Sequence, residues 1–400
     1  MNSRQPGETE NSRDRNSVFS VSFYSGLTPA HCSLINALCP QNAGNLRGLT
    51  FIAAIQALTF GLPSPSCQRM SKPSNTIIIH NVSVAAEMLC SGGLVAFPTE
   101  TVYGLGADAR NPESVARIFE SKQRPTFDPL IVHAANVRAG RELVQDFPEI
   151  AQRLADAFWP GPLTLVLPKR SEIPDLVTAG LPGVGVRVPS HPLALELLTA
   201  AGCPVAAPSA NPFGGISPTT AQHVLDGLNG RIDAVLDGGP CGVGVESTVL
   251  SLMTEQPTIL RAGGLPIEDI EAVIGPVSRA VSDPKLDDSA QPSPGMLSRH
   301  YAPGTRLTVI DAGQTAVPIA GKRCGLLTYG PKVVASGFDA VERLSDTTDL
   351  RTCAANFFAA LRSLDSQNMD VIIANSFPPT GLGVALNDRL NRASGREGQS

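Results

Sequence analysis

The sequence predicts an α/β protein with two folded domains, of which the second is the smaller. Three observations predict this. The chain has 400 residues with 42% hydrophobic content, enough for more than one core. From residue 76, short β-rich runs alternate with amphipathic helical patterns, as in α/β domains. A polar segment with four prolines, residues 279–305, then separates a second set of such patterns and predicts an extended linker.

Residues 1–69 are rich in Ser, Asn, Arg and Pro and have no strong periodicity, which predicts a poorly ordered extension. An organelle-targeting leader is one interpretation, but Glu8, Glu10 and Asp14 fit poorly with acid-poor transit peptides. A translation start assigned too far upstream is the other. We therefore expect the first domain to span residues 70–278.

The first domain begins with the run TIIIH at residues 76–80. Eight further runs predict strands: GLVAFPT, PLIVHA, LTLVLP, GVRVPS, PVAAPS, AVLDGG, STVLSL and TILRAGG. One helix is well marked, because Asn111 provides an N-cap, Pro112 suits the first turn and Val115, Ile118 and Phe119 form an apolar stripe. Lys122 and Arg124 fall at its exit.

The second domain is expected over residues 306–395. RLTVIDA, CGLLTYG and MDVIIANS predict strands, whereas residues 350–364 and 384–394 have helical patterns.

The overall composition excludes several classes of protein. A net charge of −5 argues against a protein that coats nucleic acid, so any polyanion site must be local. The eight cysteines have neither CxxC pairs nor metal-like spacing, which predicts reduced thiols, no metal site and a cytoplasmic protein. The most apolar early run, residues 50–62, is too short to span a bilayer.

Loops that follow predicted strands carry the chemistry. PTETVYGLG, PSANPFGG and LRAGG each join an apolar run to glycine and hydroxyl residues, and strand ends are where α/β sheets bind ligands. Lys122, Arg124, Arg187 and Arg261 follow apolar runs near such loops. One isolated arginine is usually solvated charge, but four similar placements favour a phosphate site.

Common catalytic signatures are missing from the sequence. The P-loop pattern GxxxxGK[ST] does not occur, and neither GVGVRV nor GVGVES completes GxGxxG. No GxSxG is present, so Ser209 and Ser247 are interpreted as ligand hydrogen-bonding residues rather than nucleophiles. His133 ends a predicted strand, where a core role is common, but its position near Lys122 and Arg124 favours the same pocket.

Together these motifs resemble the threonylcarbamoyl-AMP synthase family with its YrdC-like domain. The resemblance rests on PTETVYGLGADA, KQRP, DPLIVH, FWPGPLTLVLP, GVRVPSHP, PSANPFGGISPT, VESTVL and ILRAGG, in this order. It covers residues 76–275 and continues through SPGMLSRHYAP to GLGVALNDRLNRAS, as in the long form of the family. It implies a twisted, open-sheet catalytic domain followed by a smaller Rossmann-like domain.

The resemblance also implies a reaction. L-Threonine, bicarbonate and ATP, with Mg²⁺, would give threonylcarbamoyl-AMP and pyrophosphate for threonylcarbamoyladenosine at tRNA position 37. It implies tRNA or a downstream threonylcarbamoyl-transferase complex as partner and no membrane. Residues holding threonine would be Thr101, His133, Arg187, Ser209 and Ser247.

Residues facing ATP would be Arg124, Asp128, Gly183, Asn211, Thr219, Arg261 and Tyr301, with Lys122 beside the phosphates; Lys122 and Arg124 would be catalytic. Asp128 stands where the family often has asparagine. Gly183 replaces a frequent hydroxyl residue, so only its backbone could contact ATP. Tyr301 would close over the nucleotide, which makes residues 279–305 a lid; the alternative is a hydrophobic anchor for the crossing chain.

Two other functions stay open. A basic concave surface could bind RNA without catalysis, through backbone phosphates. A carbamoyl-transfer module of the hydrogenase-maturation type shares this domain, but the zinc-finger and acylphosphatase-like segments expected of it are absent.

Overall fold

The structure is a computed structural model, and it describes residues 75–280, 291–295, 300–331 and 335–395. The predicted extension 1–69 lies outside the described residues, as does much of the predicted linker. The described strands form two sheets, one of 11 strands and one of four.

The larger sheet is mixed and contains every strand predicted for the first domain. Its strand order is β1-β8-β2-β3-β7-β4-β6-β5-β9-β10-β11. The strands are β1 (Ile77–Ile79), β2 (Val95–Phe97), β3 (Gly104–Asp108), β4 (Ile131–His133), β5 (Leu163–Pro168), β6 (Gly183–Arg187), β7 (Val205–Ala206), β8 (Ala234–Leu236), β9 (Thr248–Ser251), β10 (Thr258–Arg261) and β11 (Ser278–Arg279).

Seven described helices accompany this sheet. They are α1 (Val82–Cys90), α2 (Pro112–Lys122), α3 (Val137–Arg141), α4 (Glu149–Phe158), α5 (Pro192–Ala201), α6 (Ala221–Leu228) and α7 (Ile267–Ile274). Helix α2 confirms its prediction in detail, since the Asn111 side chain accepts from the amides of Glu113 and Ser114 and Pro112 starts the helix. The helix ends at Lys122 because Gln123 adopts a left-handed conformation, with φ 55°.

Strand β3 corrects the interpretation of the glycines after β2 as a loop. It pairs antiparallel with β2, with Val95 opposite Gly106. A Cβ at Gly106 would lie 2.9 Å from both the Phe97 ring and the Val205 side chain, so glycine lets this strand pass close to its neighbours.

The smaller sheet is parallel, in the order β12-β15-β13-β14, and confirms the three strands predicted there. Its strands are β12 (Arg306–Ile310), β13 (Cys324–Thr328), β14 (Ala340–Arg343) and β15 (Val371–Asn375), with helices α8 (Leu350–Ser366) and α9 (Leu382–Ser394). The sequence analysis missed β14, because this edge strand, AVER, has no buried residue and no alternation of apolar and polar residues.

One apolar cluster joins the two sheets. Val102 and Val245 from the first domain and Tyr301 from the linker are buried with Phe357 and Phe358 of α8. The two sheets therefore belong to one packed unit. Within the described residues, no helix has the length and apolarity that crossing a membrane requires.

Candidate active site

A cavity lies where several strands of the larger sheet end. Eight of the predicted site residues line it: Thr101, Arg124, His133, Arg187, Ser209, Ser247, Arg261 and Tyr301. Parallel pairing of β4 with β6 sets His133 directly beside Arg187. The free space between the lining side chains is about 50 Å³, whereas ligand pockets usually hold roughly 300–1,000 Å³. The cavity is therefore smaller than most ligand pockets.

Arg187 is buried and held by three neighbours. Its Nη2 lies 2.6 Å from Glu100 Oε1, its Nη1 donates to Thr101 Oγ1 at 2.9 Å, and its Nε donates to the Gly161 carbonyl at 3.2 Å. A guanidinium has five N–H donors, so two remain for a ligand. The Thr101 hydroxyl accepts from Arg187 and is itself 2.8 Å from Thr99 Oγ1, so it holds the guanidinium in place. Arg187 thus presents two fixed donors, which suits a carboxylate.

His133 is a neutral group in this site. Burial and the neighbouring Arg187 lower its pKa to about 3. Its ring packs edge-on against Phe97, with centroids 6.1 Å apart. No described group bonds to its buried Nδ1.

Ser247 and Arg261 form a second group on the cavity wall. Arg261 Nη2 donates to the Ser247 carbonyl at 2.9 Å, and the Ser247 hydroxyl lies 2.8 Å from Thr164 Oγ1. Arg261 Nη1 donates to the carbonyl of Pro294 in the linker, at 3.0 Å. Arg261 therefore connects the site to the segment that covers it.

Arg124 is paired with Asp128, at 2.9 Å between Nη2 and Oδ2, and both side chains are buried. The guanidinium also donates to the carbonyls of Asp128 and Pro129. Burial raises the pKa of Asp128, and Arg124 and then Lys122 oppose that shift. Asp128 lies behind Arg124 and is not on the cavity wall, so it orients the arginine.

Lys122 also lies outside the cavity wall. Its Nζ donates to the backbone carbonyls of Ser209 at 2.6 Å and Asn211 at 2.5 Å. Burial, together with the nearby Arg124 charge, holds the pKa of Lys122 well below its usual range. Asn211 donates through Nδ2 to the carbonyls of Pro212 and Gly215, while no described group bonds to its buried Oδ1.

Gly183 and Thr219, both predicted to face ATP, lie away from this cavity. Gly183 lines a separate small cavity with Pro292 and Pro294 of the linker. A Cβ at Gly183 would lie 2.9 Å from Met253 Sδ, so close packing against Met253 accounts for a glycine at this position. Thr219 Oγ1 lies 3.3 Å from His223 Nδ1.

The linker covers the cavity through Tyr301 and its neighbours. Tyr301 is 1% exposed and has φ 61°, uncommon for a residue with a side chain. Its ring lies 4.1 Å from that of His300 and 5.8 Å from that of Phe358, and the Arg389 guanidinium sits 4.9 Å from its centre. No described group bonds to its hydroxyl. Residues of the second domain therefore hold the cover in place.

The sequence analysis missed the residues that support this arrangement. Arg389 is fully buried and donates to Glu246 Oε2 at 2.9 Å and to the Ala262 carbonyl at 3.0 Å. Burial raises the pKa of Glu246, but Arg389, Arg261 and the Ser217 hydroxyl outweigh it, so the net shift is downward. A lone arginine on an amphipathic helix gives no signal of such a contact, whereas Glu246 and Glu100 directly precede predicted site residues.

The charges of the site favour an anionic ligand with several negative groups. Arg124, Arg187 and Arg261 all reach the cavity wall. Nearby carboxylates are engaged, Asp128 by Arg124, Glu100 by Arg187 and Glu246 by Arg389. Among the residues that the structure describes, no group of three or more His, Cys, Asp or Glu side chains is placed to bind a metal ion. The five described cysteines are free.

Comparisons with known proteins match both parts of the chain. A family model described as "Telomere recombination" matches residues 87–263, and one described as "Threonylcarbamoyl-AMP synthase, C-terminal domain" matches residues 265–395. The threonylcarbamoyl-AMP synthase of Bacillus subtilis (strain 168) is 46% identical over 323 residues, which are 78% of this chain and 93% of that protein. The Pyrococcus abyssi (strain GE5 / Orsay) synthase is 44% identical over 327 residues, 78% of this chain and 94% of that protein.

A solved structure agrees with these relatives. The crystal structure of P. abyssi Sua5 complexed with L-threonine matches with a TM-score of 0.72 and 41% identity, covering 80% of this chain and 98% of that one. The resemblance predicted from the motifs and the two-domain α/β fold are confirmed. The chain belongs to the threonylcarbamoyl-AMP synthase family, in the form that carries both the YrdC-like and the C-terminal domain.

Proposed function

We propose that this protein forms L-threonylcarbamoyl-AMP and pyrophosphate from L-threonine, bicarbonate and ATP. Membership of the synthase family supports this reaction. The observation that carries the proposal is the cavity, which combines hydroxyl groups and one neutral histidine with three arginines on its wall. The arginines suit the carboxylate of an amino acid and the phosphates of a nucleoside triphosphate, and the hydroxyl groups suit the polar groups of the amino acid.

Threonine would occupy the end of the cavity formed by Thr101, His133, Arg187, Ser209 and Ser247. The two free donors of Arg187 suit its carboxylate, in a bidentate pair. The hydroxyls of Ser209 and Ser247 would fix the amino acid side chain and the carbamoyl group. His133 stays neutral, so it adds no positive charge that would repel an ammonium group.

ATP would lie towards Arg124, Arg261 and the linker. These two arginines would neutralise the charge that builds on the phosphates as pyrophosphate leaves. Asp128 would act through Arg124, and Tyr301 would cover the nucleotide. Direct roles for Gly183, Asn211 and Thr219 in contacting ATP stay predictions.

The chemistry needs two bond-forming steps. The neutral amine of threonine attacks the carbon of bicarbonate; the C–N bond forms, a C–O bond breaks, and the hydroxide leaves with an amine proton as water, giving a carbamate. With carbon dioxide as the electrophile, the amine adds and loses one proton to solvent. A carbamate oxygen then attacks the α-phosphorus of ATP, and the bond to the β-phosphate oxygen breaks. No covalent enzyme intermediate is needed, so catalysis is mainly positioning and electrostatic stabilisation.

Mg²⁺ would enter with ATP as part of the substrate. The carboxylates beside the site are paired with arginines, so they do not form a dedicated cage. Mg²⁺ commonly binds through substrate phosphates and water, which suits this donor set.

The product would pass to tRNA or to a downstream threonylcarbamoyl-transferase complex, in the cytoplasm. The family relatives favour this catalytic function over an RNA-binding module without chemistry.

Pyrophosphate release tests the proposal, measured with threonine, bicarbonate and ATP together and with each omitted in turn. We expect release to require all three, and serine in place of threonine to give a lower rate. An Arg187→Met variant should fail to respond to threonine. Pyrophosphate release at the same rate with and without threonine, or RNA binding without any pyrophosphate release, would exclude the proposal.

A further inference from the structure

Lys122 is joined to one particular loop by three hydrogen bonds. Its Nζ donates to the carbonyls of Ser209 and Asn211, at 2.6 Å and 2.5 Å. Its own carbonyl accepts from the Phe213 amide at 2.8 Å. The last residue of α2 therefore contacts residues 209, 211 and 213 of the loop SANPF, two of them through its charged group.

Burial fixes the position of this ammonium group. Lys122 is 1% exposed and is not on the wall of the cavity. Its nearest carboxylate, Asp128, is already paired with Arg124. Two backbone carbonyls are thus the described acceptors of its hydrogen bonds, and a buried donor and its acceptors are costly to separate.

The loop that Lys122 holds includes one residue of the cavity wall, Ser209, and one residue, Asn211, whose buried Oδ1 has no bonded partner among the described groups. The loop is otherwise tied to β3 and its preceding turn, since Leu105 donates to the Pro208 carbonyl and Ala210 to the Tyr103 carbonyl. Both of these bonds lie at residues 208–210. Residues 211–213 are held by the bonds to Lys122 and by the Asn211 side chain, whose Nδ2 donates to the carbonyls of Pro212 and Gly215.

We propose that Lys122 is a positioning residue: it sets the conformation of residues 209–213 and, through Ser209, the affinity for threonine. This inference rests on the proposed function. It differs from a direct contact between Lys122 and the phosphates, which the family resemblance suggested. The geometry favours carbonyl acceptors, because the ammonium group lies behind the cavity wall and already has two of them.

The two roles differ when no phosphate is present. A positioning role predicts that loss of the ammonium group weakens binding of threonine alone. A phosphate contact predicts unchanged threonine binding and weaker binding of ATP and pyrophosphate. The test is therefore calorimetric titration of the full-length protein with L-threonine alone, and separately with pyrophosphate.

Lys122→Met removes the donors and keeps most of the side-chain volume, and Lys122→Gln retains an uncharged N–H donor. Lys169→Met is the control, because Lys169 also donates to a backbone carbonyl, that of Ile173 at 3.1 Å, away from the cavity; it additionally pairs with the exposed Asp175. Circular dichroism and thermal melting establish that each variant is folded.

We expect Lys122→Met to weaken threonine binding about tenfold or more, since both hydrogen bonds to the loop carbonyls are lost. Lys122→Gln should lie between Lys122→Met and the wild type, Lys169→Met should bind as the wild type does, and KM for threonine should rise in parallel. Wild-type threonine affinity in a folded Lys122→Met variant, with only pyrophosphate binding reduced, would overturn the proposal. So would failure of both Lys122 variants to fold, which would make the residue a general structural one. A wild-type protein that binds no threonine would instead refute the proposed function.

Discussion

The ion pair between Arg389 and Glu246 gives the sharpest stability prediction. Arg389 comes from α9 of the second domain and Glu246 from the loop before β9, and their side chains are 0% and 7% exposed. Arg389→Met removes the charge but keeps an apolar side chain in the space. Glu246 then stays buried with only the Ser217 hydroxyl and the more distant Arg261 to stabilise its charge.

Breaking one side of a buried ion pair costs about 3–5 kcal/mol, because the remaining charge is uncompensated. We expect Arg389→Met to lower the free energy of unfolding by that amount. Glu246→Gln combined with Arg389→Met should recover at least about 2 kcal/mol of this loss, since no charge is then stranded. The control is Arg343→Met, whose partner Asp346 is 3.4 Å away and 89% exposed. An exposed pair contributes below about 1 kcal/mol.

Urea unfolding followed by circular dichroism measures these differences through the transition midpoints. Activity is a second readout. Arg389 lies over the Tyr301 ring, so activity should fall in Arg389→Met even under conditions where the protein is folded. Equal effects of Arg389→Met and Arg343→Met would refute the reasoning. Strict additivity of the Glu246 and Arg389 changes would refute it as well.

Three other changes have defined outcomes. Arg124→Ala should depress turnover about 10- to 100-fold through lost phosphate contacts, and unchanged ATP kinetics would contradict this. The double variant Arg124→Ala/Asp128→Asn should be more stable than Arg124→Ala alone, because it leaves no unpaired buried carboxylate. Tyr301→Phe should leave the melting temperature equal or higher, since no described group bonds to the hydroxyl, but should weaken ATP binding. Between pH 6.5 and pH 3, His133 binds a proton in the unfolded protein but not in the folded protein, where its pKa is about 3. The free energy of unfolding therefore falls as the pH falls through this range. His133→Gln should make that fall smaller. Urea midpoints at pH 7 and pH 5 check it, and an unchanged pH slope would be the contrary result.

Local patterns predicted most of the secondary structure. The cap at Asn111, the proline at 112 and the apolar stripe predicted α2 because all three act within one helix. Strand β3 was missed because its glycines are required by Phe97 and Val205, neighbours that only the folded sheet supplies. Propensity alone describes such a segment as a loop.

Some residues of the site could be predicted from the sequence and others could not. Residues at strand ends, such as His133 and Arg187, share an edge of the sheet by topology, so their proximity follows from the strand pattern. Contacts over long sequence separations do not: Arg389 meets Glu246 across 143 residues, and Lys122 meets Asn211 across 89. Whether the Lys122 amine contacts a ligand or a backbone carbonyl depends on where its side chain packs in the folded protein, and no sequence pattern encodes that position.

The small volume of the cavity has a consequence for binding kinetics. With about 50 Å³ free, the cavity is smaller than nucleotide pockets usually are, so we expect His300 and Tyr301 on its wall to move apart when ATP binds. The apparent dissociation constant then equals the intrinsic one divided by the open fraction, so each 1.4 kcal/mol that favours the closed form weakens measured affinity about tenfold. The observed association rate should also stop rising at high ATP concentration, at a ceiling equal to the opening rate. Substitutions of Arg389 or Phe358 that loosen the cover would raise that ceiling without touching the nucleotide.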